Sequence, residues 1–139
     1  MKISPEKCVL GLAALGAAFI MASCDIKHTG TEITPERFYL YSNMTSHTGT
    51  DIYVWDTPLT SAHVVYHIDD FRGGATSLRI FDGSGREIFY RFLVTSDPTF
   101  WLGGNTYELI ANTDTGVAGA WRVELQYDQF TGYTDLTIN

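Results

Sequence analysis

The sequence predicts an all-β protein, a single antiparallel β-sandwich of immunoglobulin-like or jelly-roll-like type, with a small closed barrel as the alternative. Three observations carry that expectation. From Arg37 onward apolar residues recur with a period of two rather than 3.6, and no window beyond residue 36 has the periodicity of an amphipathic helix. Clusters of Gly, Asn, Asp and Ser break the alternation at short intervals, which divides the chain into roughly seven to nine short strands. Aromatic residues make up 14% of the chain beside many Thr and Gly, the composition of half-buried strands joined by tight turns.

In chain order, Phe38-Tyr39-Leu40-Tyr41 and Asp51-Ile52-Tyr53-Val54-Trp55 read as two strands separated by the turn-rich Ser42 to Thr50. From Ala62 to Ile68, Val64, Tyr66 and Ile68 share one face and His63, Val65 and His67 the other. Asp69 to Gly74 reads as a loop, after which Leu78 and Ile80 face inward. Asp82-Gly83-Ser84-Gly85 is the strongest hairpin signal, because Asp-Gly and Ser-Gly supply positive φ at little cost. The returning strand places Ile88, Tyr90, Phe92 and Val94 on one side until Ser96-Asp97-Pro98 breaks it. Phe100-Trp101-Leu102 is a short apolar piece ahead of Gly103-Gly104-Asn105. Tyr107, Leu109 and Ala111 alternate in the next strand. Trp121, Val123, Leu125 and Tyr127 then alternate with Arg122, Glu124 and Gln126, as in a half-solvated antiparallel strand. Thr131-Gly132 is expected to turn that strand into a last one carrying Thr134, Leu136 and Ile138 on one face.

The segment before Arg37 has a different character. Lys2 and Lys7 precede an uncharged apolar run from Cys8 to Ala22, which is shorter than the roughly 20 residues a helix needs to cross a bilayer. A basic start, a short apolar core and small residues at its end make a secretory signal peptide. Met21-Ala22-Ser23-Cys24 resembles the lipobox of bacterial lipoproteins. The resemblance implies that Cys24 is acylated on sulfur and becomes the first mature residue, with residues 1–23 removed. A thioether-linked lipid with an N-acyl chain would supply the two hydrocarbon signals that stable anchoring requires. The expected organisation is therefore a signal at 1–23, a lipidated N-terminus and flexible tether at 24–36, and the sandwich at 37–139. Asp25, directly after that cysteine, resembles an inner-membrane retention signal of enteric bacteria; other groups follow other rules, so inner and outer membrane both stay open.

Charge and cysteines narrow the function. Nine basic and sixteen acidic residues give a net charge of −7, and loss of Lys2, Lys7 and Glu6 with the signal takes it to −8. That balance argues against nucleic acid and against electrostatic adhesion to anionic lipid. Cys8 and Cys24 are the two cysteines of the chain. With the first in the signal and the second acylated, the mature domain would hold no disulfide, thiolate metal site or cysteine nucleophile, and stability must come from its core.

The segment Asn105 to Asn139 resembles the closing strands of secreted bacterial sandwich modules of the pre-peptidase C-terminal type, in which a Gly-x-Tyr-type strand, a loop and a Gly-x-Trp-type strand precede a final hairpin. The resemblance spans about a quarter of the chain. It implies a sandwich with an accessory rather than catalytic role.

Candidate chemistry is sparse. His63 and His67 share a strand face but lie about 13 Å apart, too far for one metal ion, and His28 and His47 fall elsewhere. Asp82 to Glu87 lacks the alternating oxygen ligands of a calcium loop. Asp69, Asp70, Asp97 and Asp114 are loop acids that could gather around Ca²⁺; no other cofactor is expected. No Gly-x-Ser-x-Gly elbow or other catalytic signature is present, and a non-catalytic role is expected.

Aromatic and aliphatic side chains are the better contact candidates. Trp121 lies in the inward register and belongs to the core. Trp55 ends a strand and Trp101 adjoins a Gly-Gly loop, so each either stacks on a sugar ring or partner, or caps an end of the core. Phe81, Phe89 and Leu93 fall on the outward register of the hairpin, beside Arg79 and Arg91. They form either an interaction stripe or a surface covered by the Asp97 to Gly104 segment. The expected role is a lipid-anchored cell-envelope module that binds an envelope protein or serves structurally, facing the periplasm or the cell exterior. The alternative is a carbohydrate-binding module using Trp55 and Trp101.

Overall fold

A computed structural model describes residues 26–94 and 101–139, and all structural statements below refer to them. The described chain forms seven strands: β1 (Ile26–Thr34), β2 (Arg37–Thr57), β3 (His63–Phe81), β4 (Glu87–Val94), β5 (Trp101–Gly103), β6 (Thr106–Asn112) and β7 (Gly119–Ile138). Every pairing is antiparallel, in one sheet of order β1-β2-β7-β3-β6-β5 with β4 added to the side of β3. The all-β expectation holds. The protein is an antiparallel sandwich whose two layers are halves of one sheet.

Three long strands make both layers. β2, β7 and β3 each break register at one level, between Met44 and Gly49 on β2, opposite Tyr127 to Gly132 on β7, and between Asp69 and Ala75 on β3. Each carries one non-glycine residue in the left-handed region there: Ser46 (φ 49°), Gln129 (φ 47°) and Asp70 (φ 47°). A left-handed residue in a bulge bends a strand sharply, and a row of such bends turns the sheet over on itself. The hydroxyls of Tyr66 and Thr76, ten residues apart on β3, lie 3.3 Å from each other. Fully extended, that strand would hold them about 33 Å apart.

The wide layer contains β1, the first half of β2, the second half of β7, the first half of β3, β6 and β5. The narrow layer contains the second half of β2, the first half of β7, the second half of β3, and β4. Gly74 lets the bends nest: it sits at φ +88°, and a Cβ there would lie 2.4 Å from the Gln129 carbonyl oxygen and 2.5 Å from that of Asp128.

The core between the layers follows the alternation. Val64, Tyr66 and Ile68, then Leu78 and Ile80, and Trp121, Val123, Leu125 and Tyr127 are all buried. Trp55 and Trp121 are cross-strand partners packed edge to face with ring centroids 5.6 Å apart, and both are fully buried. Their indole N–H groups donate to the Thr34 carbonyl at 2.6 Å and the Val117 carbonyl at 2.8 Å. Satisfied donors allow such large rings to be buried without a desolvation penalty.

Several expected boundaries differ. Ser42 to Thr50, Asp69 to Gly74 and Thr131-Gly132 are bends inside continuous strands, because short polar residues and glycine serve a bend as well as a turn. Residues Ile26 to Thr34 are a strand paired along its length with β2, not a tether. Its polar character suits an edge strand, and Lys27 pairs across the sandwich with Asp51. The signal, Cys24, Asp25 and Asp97 lie outside the described residues.

The hairpin after β3 forms at Asp82 to Arg86 as expected. Asp82 does more than turn the chain. Its Oδ1 accepts from the Ser84 hydroxyl (2.6 Å), the Ser84 N–H (2.9 Å) and the Arg86 N–H (3.0 Å), and its Oδ2 accepts from the Val117 N–H (3.0 Å). The Ser84 hydroxyl foremost, with the backbone donors, lowers the carboxyl's pKa to about 2. One side chain thereby fastens the hairpin to the β6–β7 connection.

Candidate binding surfaces

The outer face of the narrow layer follows from register. Its rows run Thr50, Gln126, Ser77, Phe92; then Ile52, Glu124, Arg79, Tyr90; then Val54, Arg122, Phe81, Glu87. Ile52 (59%), Val54 (65%), Tyr90 (41%) and Phe92 (53%) are exposed along the two outer strands. Charged residues lie between them: Arg122 Nε meets Glu124 at 2.7 Å, and Arg79 lies 3.9 Å from Glu87. The Arg79 guanidinium stands 4.7 Å from the Tyr90 ring centre and that of Arg122 4.1 Å from Phe81. Thr50, Ser77, Arg79, Glu124 and Gln126 line a shallow depression of about 180 Å³ at the centre.

This face corrects the proposed stripe. Phe89 and Leu93 are buried, and Phe81 is half-buried beneath Arg122. The cause is a bulge: Ile80 pairs with Phe89 but Phe81 pairs with Glu87, which leaves Ile88 without a cross-strand partner. Ile88 and Phe89 both turn inward, and the alternation beyond them is shifted, with Tyr90 and Phe92 exposed and Leu93 buried. Tyr90 and Phe92 thus take the outward places assigned to Phe89 and Leu93.

Of the two tryptophans considered as ligand contacts, Trp55 is in the core and caps one end of it. Trp101 is exposed, with its indole N–H donating to the Gly104 carbonyl at 3.0 Å.

The outer face of the wide layer is polar and tyrosine-rich. The Tyr39 hydroxyl donates to Asp135 at 2.8 Å, and that bond to a carboxylate raises the phenol's pKa to about 12. The rings of Tyr41 and Tyr133 are nearly parallel, 6.5 Å apart. Tyr41 lies across β1 at Gly30, where a Cβ would come within 2.2 Å of the ring. In the next strands His67 sits between Asp69 (2.9 Å) and Glu108 (3.4 Å). Asp69 also accepts from the Thr106 hydroxyl, which is the main cause of its lowered pKa.

Of the acids considered for Ca²⁺, Asp69, Asp70 and Asp114 lie among the described residues. Asp69 is engaged by His67 and Thr106, Asp70 by Arg72, and the Asp114 N–H is bonded to Ile88 at the other end of the sandwich. Among the described residues no group of three or more His, Cys, Asp or Glu side chains is placed to hold a metal ion. His63 bonds Asn112 at 3.0 Å, whereas His67 bonds Asp69 at 2.9 Å.

Of the contact residues expected from the sequence, only Trp101 retains an open face. Ile52, Val54, Tyr90 and Phe92 were missed as a group. For Tyr90 and Phe92 the reason is that both registers of residues 88–93 carry large apolar side chains, Ile88, Tyr90 and Phe92 in one and Phe89 and Leu93 beside Arg91 in the other, so a period of two chooses weakly between them. No protein-family model matches the chain, and no curated protein matches it.

Proposed function

We propose that the protein is a lipid-anchored lipoprotein of the bacterial cell envelope that acts by binding a protein partner through the outer face of its narrow layer, without catalysis. The observation that supports this reading is the placement of Ile52, Val54, Tyr90 and Phe92 around Arg79 and Arg122 on one four-stranded face. Aromatic side chains and arginine are the residues that most often dominate protein interfaces, and here both arginines lie over aromatic rings. Lipid attachment at Cys24 would hold this face outside the cytoplasm.

A photo-crosslinking residue at Phe92 tests it in cells. A discrete adduct that disappears with Val54→Asp, while the variant keeps its melting temperature, supports the reading. Unchanged adduct formation in Val54→Asp and in Tyr90→Asp refutes it.

A second reading, glycan binding, draws on the Tyr41 and Tyr133 rings beside Asp135 rather than on Trp55. The Tyr41 ring is exposed and that of Tyr133 half-buried, and such rings can stack on a pyranose while a carboxylate accepts from its hydroxyls. Retention on immobilised envelope polysaccharide that is lost in Tyr41→Ala and kept in Val54→Asp would favour this reading over the first.

A further inference from the structure

We infer that the domain meets the bilayer through its corner end, where the three long strands bend, and that Trp101 and Leu102 form a second, apolar contact with the lipid surface. The inference rests on the acylation of Cys24 proposed above and adds an orientation and a second attachment point to it.

The chain leaves little slack. Ile26 is already paired with Thr45, the residue before the left-handed bend at Ser46. Cys24 precedes Ile26 by two residues, so about 7 Å of extended chain at most separates the acylated residue from the corner. A dozen-residue tether would let the domain tumble freely; two residues keep one end against the membrane.

The other end carries the β2–β3, β3–β4 and β6–β7 connections. The segments at 58–62, 82–86 and 113–118 and the C-terminal Asn139 are joined there by backbone bonds, including Gly116 N–H to Thr60, Thr113 N–H to Ala62, Gly83 N–H to Val117 and Asn139 N–H to His63. Those loops point away from the lipid.

A second feature lies at the corner. The β5–β6 turn is tied to the β3 bend by the Phe71 N–H, which donates to the Asn105 carbonyl at 3.0 Å. Immediately before that turn, Trp101 and Leu102 are 54% and 61% exposed. The indole N–H of Trp101 is already satisfied by Gly104, so its ring can enter an interface without leaving a donor unpaired. Amphipathic tryptophan is the side chain most at home at the headgroup level. β1 and β5 are the two outer strands of the wide layer, about 24 Å apart at the usual strand spacing. Lipid at one and Trp–Leu at the other give two separated contacts, and two contacts restrict rotation that one would permit. Asp70 and Asp128 are exposed at the corner and the net charge is negative, so the attraction is apolar and insensitive to salt.

The test uses the mature lipoprotein purified from membranes and reconstituted into phosphatidylcholine vesicles with and without brominated acyl chains. Trp55 and Trp121 are fully buried, so Trp101 is the tryptophan within reach of the quencher. The expected result is a loss of emission in brominated vesicles that Trp101→Phe abolishes and 0.5 M salt leaves unchanged. With Cys24 acylated, residues 25–139 contain no other thiol, so Thr45→Cys and Thr60→Cys each accept a single fluorophore. Headgroup nitroxides should quench the label at 45 and spare the one at 60. Equal emission in both vesicle types, or equal quenching at 45 and 60, in protein whose Cys24 is acylated by mass spectrometry overturns the docking and leaves the anchor standing. Unmodified Cys24 overturns the anchor and the docking together.

Discussion

Phe38 and Trp55 stand at the two ends of the same strand, yet their rings are 6.2 Å apart. An extended strand would separate them by about 56 Å, so the contact exists only because β2 folds back across the core. Their packing therefore reports closure of the two layers rather than pairing within either one. Phe38→Ala and Trp55→Ala should each cost about 3–5 kcal/mol. Because the rings touch, the double variant should cost less than the sum of the two, and urea unfolding of the four-member cycle measures the difference.

The hairpin hub gives a pH dependence whose sign is fixed. Asp82 has its carboxyl pKa lowered to about 2, chiefly by the Ser84 hydroxyl. A group whose folded pKa is depressed contributes stability that is present above its ordinary pKa and is lost as pH falls through the folded value. Asp82→Asn replaces one acceptor oxygen with an amide nitrogen and leaves one donor facing another, at Val117 or at Arg86 and Ser84. The gap in urea midpoint between wild type and Asp82→Asn should be constant above about pH 5 and should narrow as pH falls from about 4 toward 2. A gap independent of pH over that range would mean that the charge contributes nothing.

The bulge at Ile88 makes neighbouring phenylalanines behave oppositely. Phe89 is buried, so Phe89→Ala should destabilise by about 3–5 kcal/mol. Phe92 is exposed on the outer face, so Phe92→Ala should change stability by no more than about 0.5 kcal/mol. Thermal or chemical denaturation of the two variants separates this register from the unbulged one, in which the ranking would be reversed.

Strand type was legible in the sequence wherever one face is dry and the other wet. Val64, Tyr66 and Ile68 against His63 and His67, or Trp121, Val123 and Leu125 against Arg122 and Glu124, admit one register each. Phe89 to Leu93 places large apolar side chains in both registers, Tyr90 and Phe92 in one and Phe89 and Leu93 around Arg91 in the other, and the choice was made by a bulge that no local residue announces. The bends were hidden for a related reason. Ser46 and Asp70 suit a reversal into a neighbouring strand as well as a passage into the second layer, and Gln129 signals neither. Only the long-range pairings of β2, β3 and β7 decide between the two outcomes. β1 was illegible because an outer strand with two wet faces has no alternation to display, and its order comes from pairing with β2. The exposed aliphatic pair Ile52 and Val54 lay inside a correctly read strand, but their prominence depends on Arg122 and Glu124 standing opposite, far away in sequence.

The bends themselves make opposite demands on glycine and non-glycine residues. Gly74 combines a positive φ of 88° with backbone carbonyl oxygens of Asp128 and Gln129 where a Cβ would go. Neither can be relieved by a rotamer change, because both obstacles are main chain. Gly74→Ala should therefore cost more than about 2 kcal/mol, the sum of left-handed strain and displacement of the β7 bend. Ser46 and Gln129 already carry that strain as L-residues, at φ 49° and 47°. The Ser46 N–H donates to the Thr131 hydroxyl and the Gln129 N–H to that of Thr48, bonds that a change of side chain leaves in place. Ser46→Gly and Gln129→Gly should thus be neutral or stabilising by up to about 1 kcal/mol, the relieved strain being partly offset by the greater freedom of glycine in the unfolded chain. Denaturant midpoints of the three variants check the set: a loss in Ser46→Gly as large as that in Gly74→Ala would show that the bends do not hold left-handed residues at these positions.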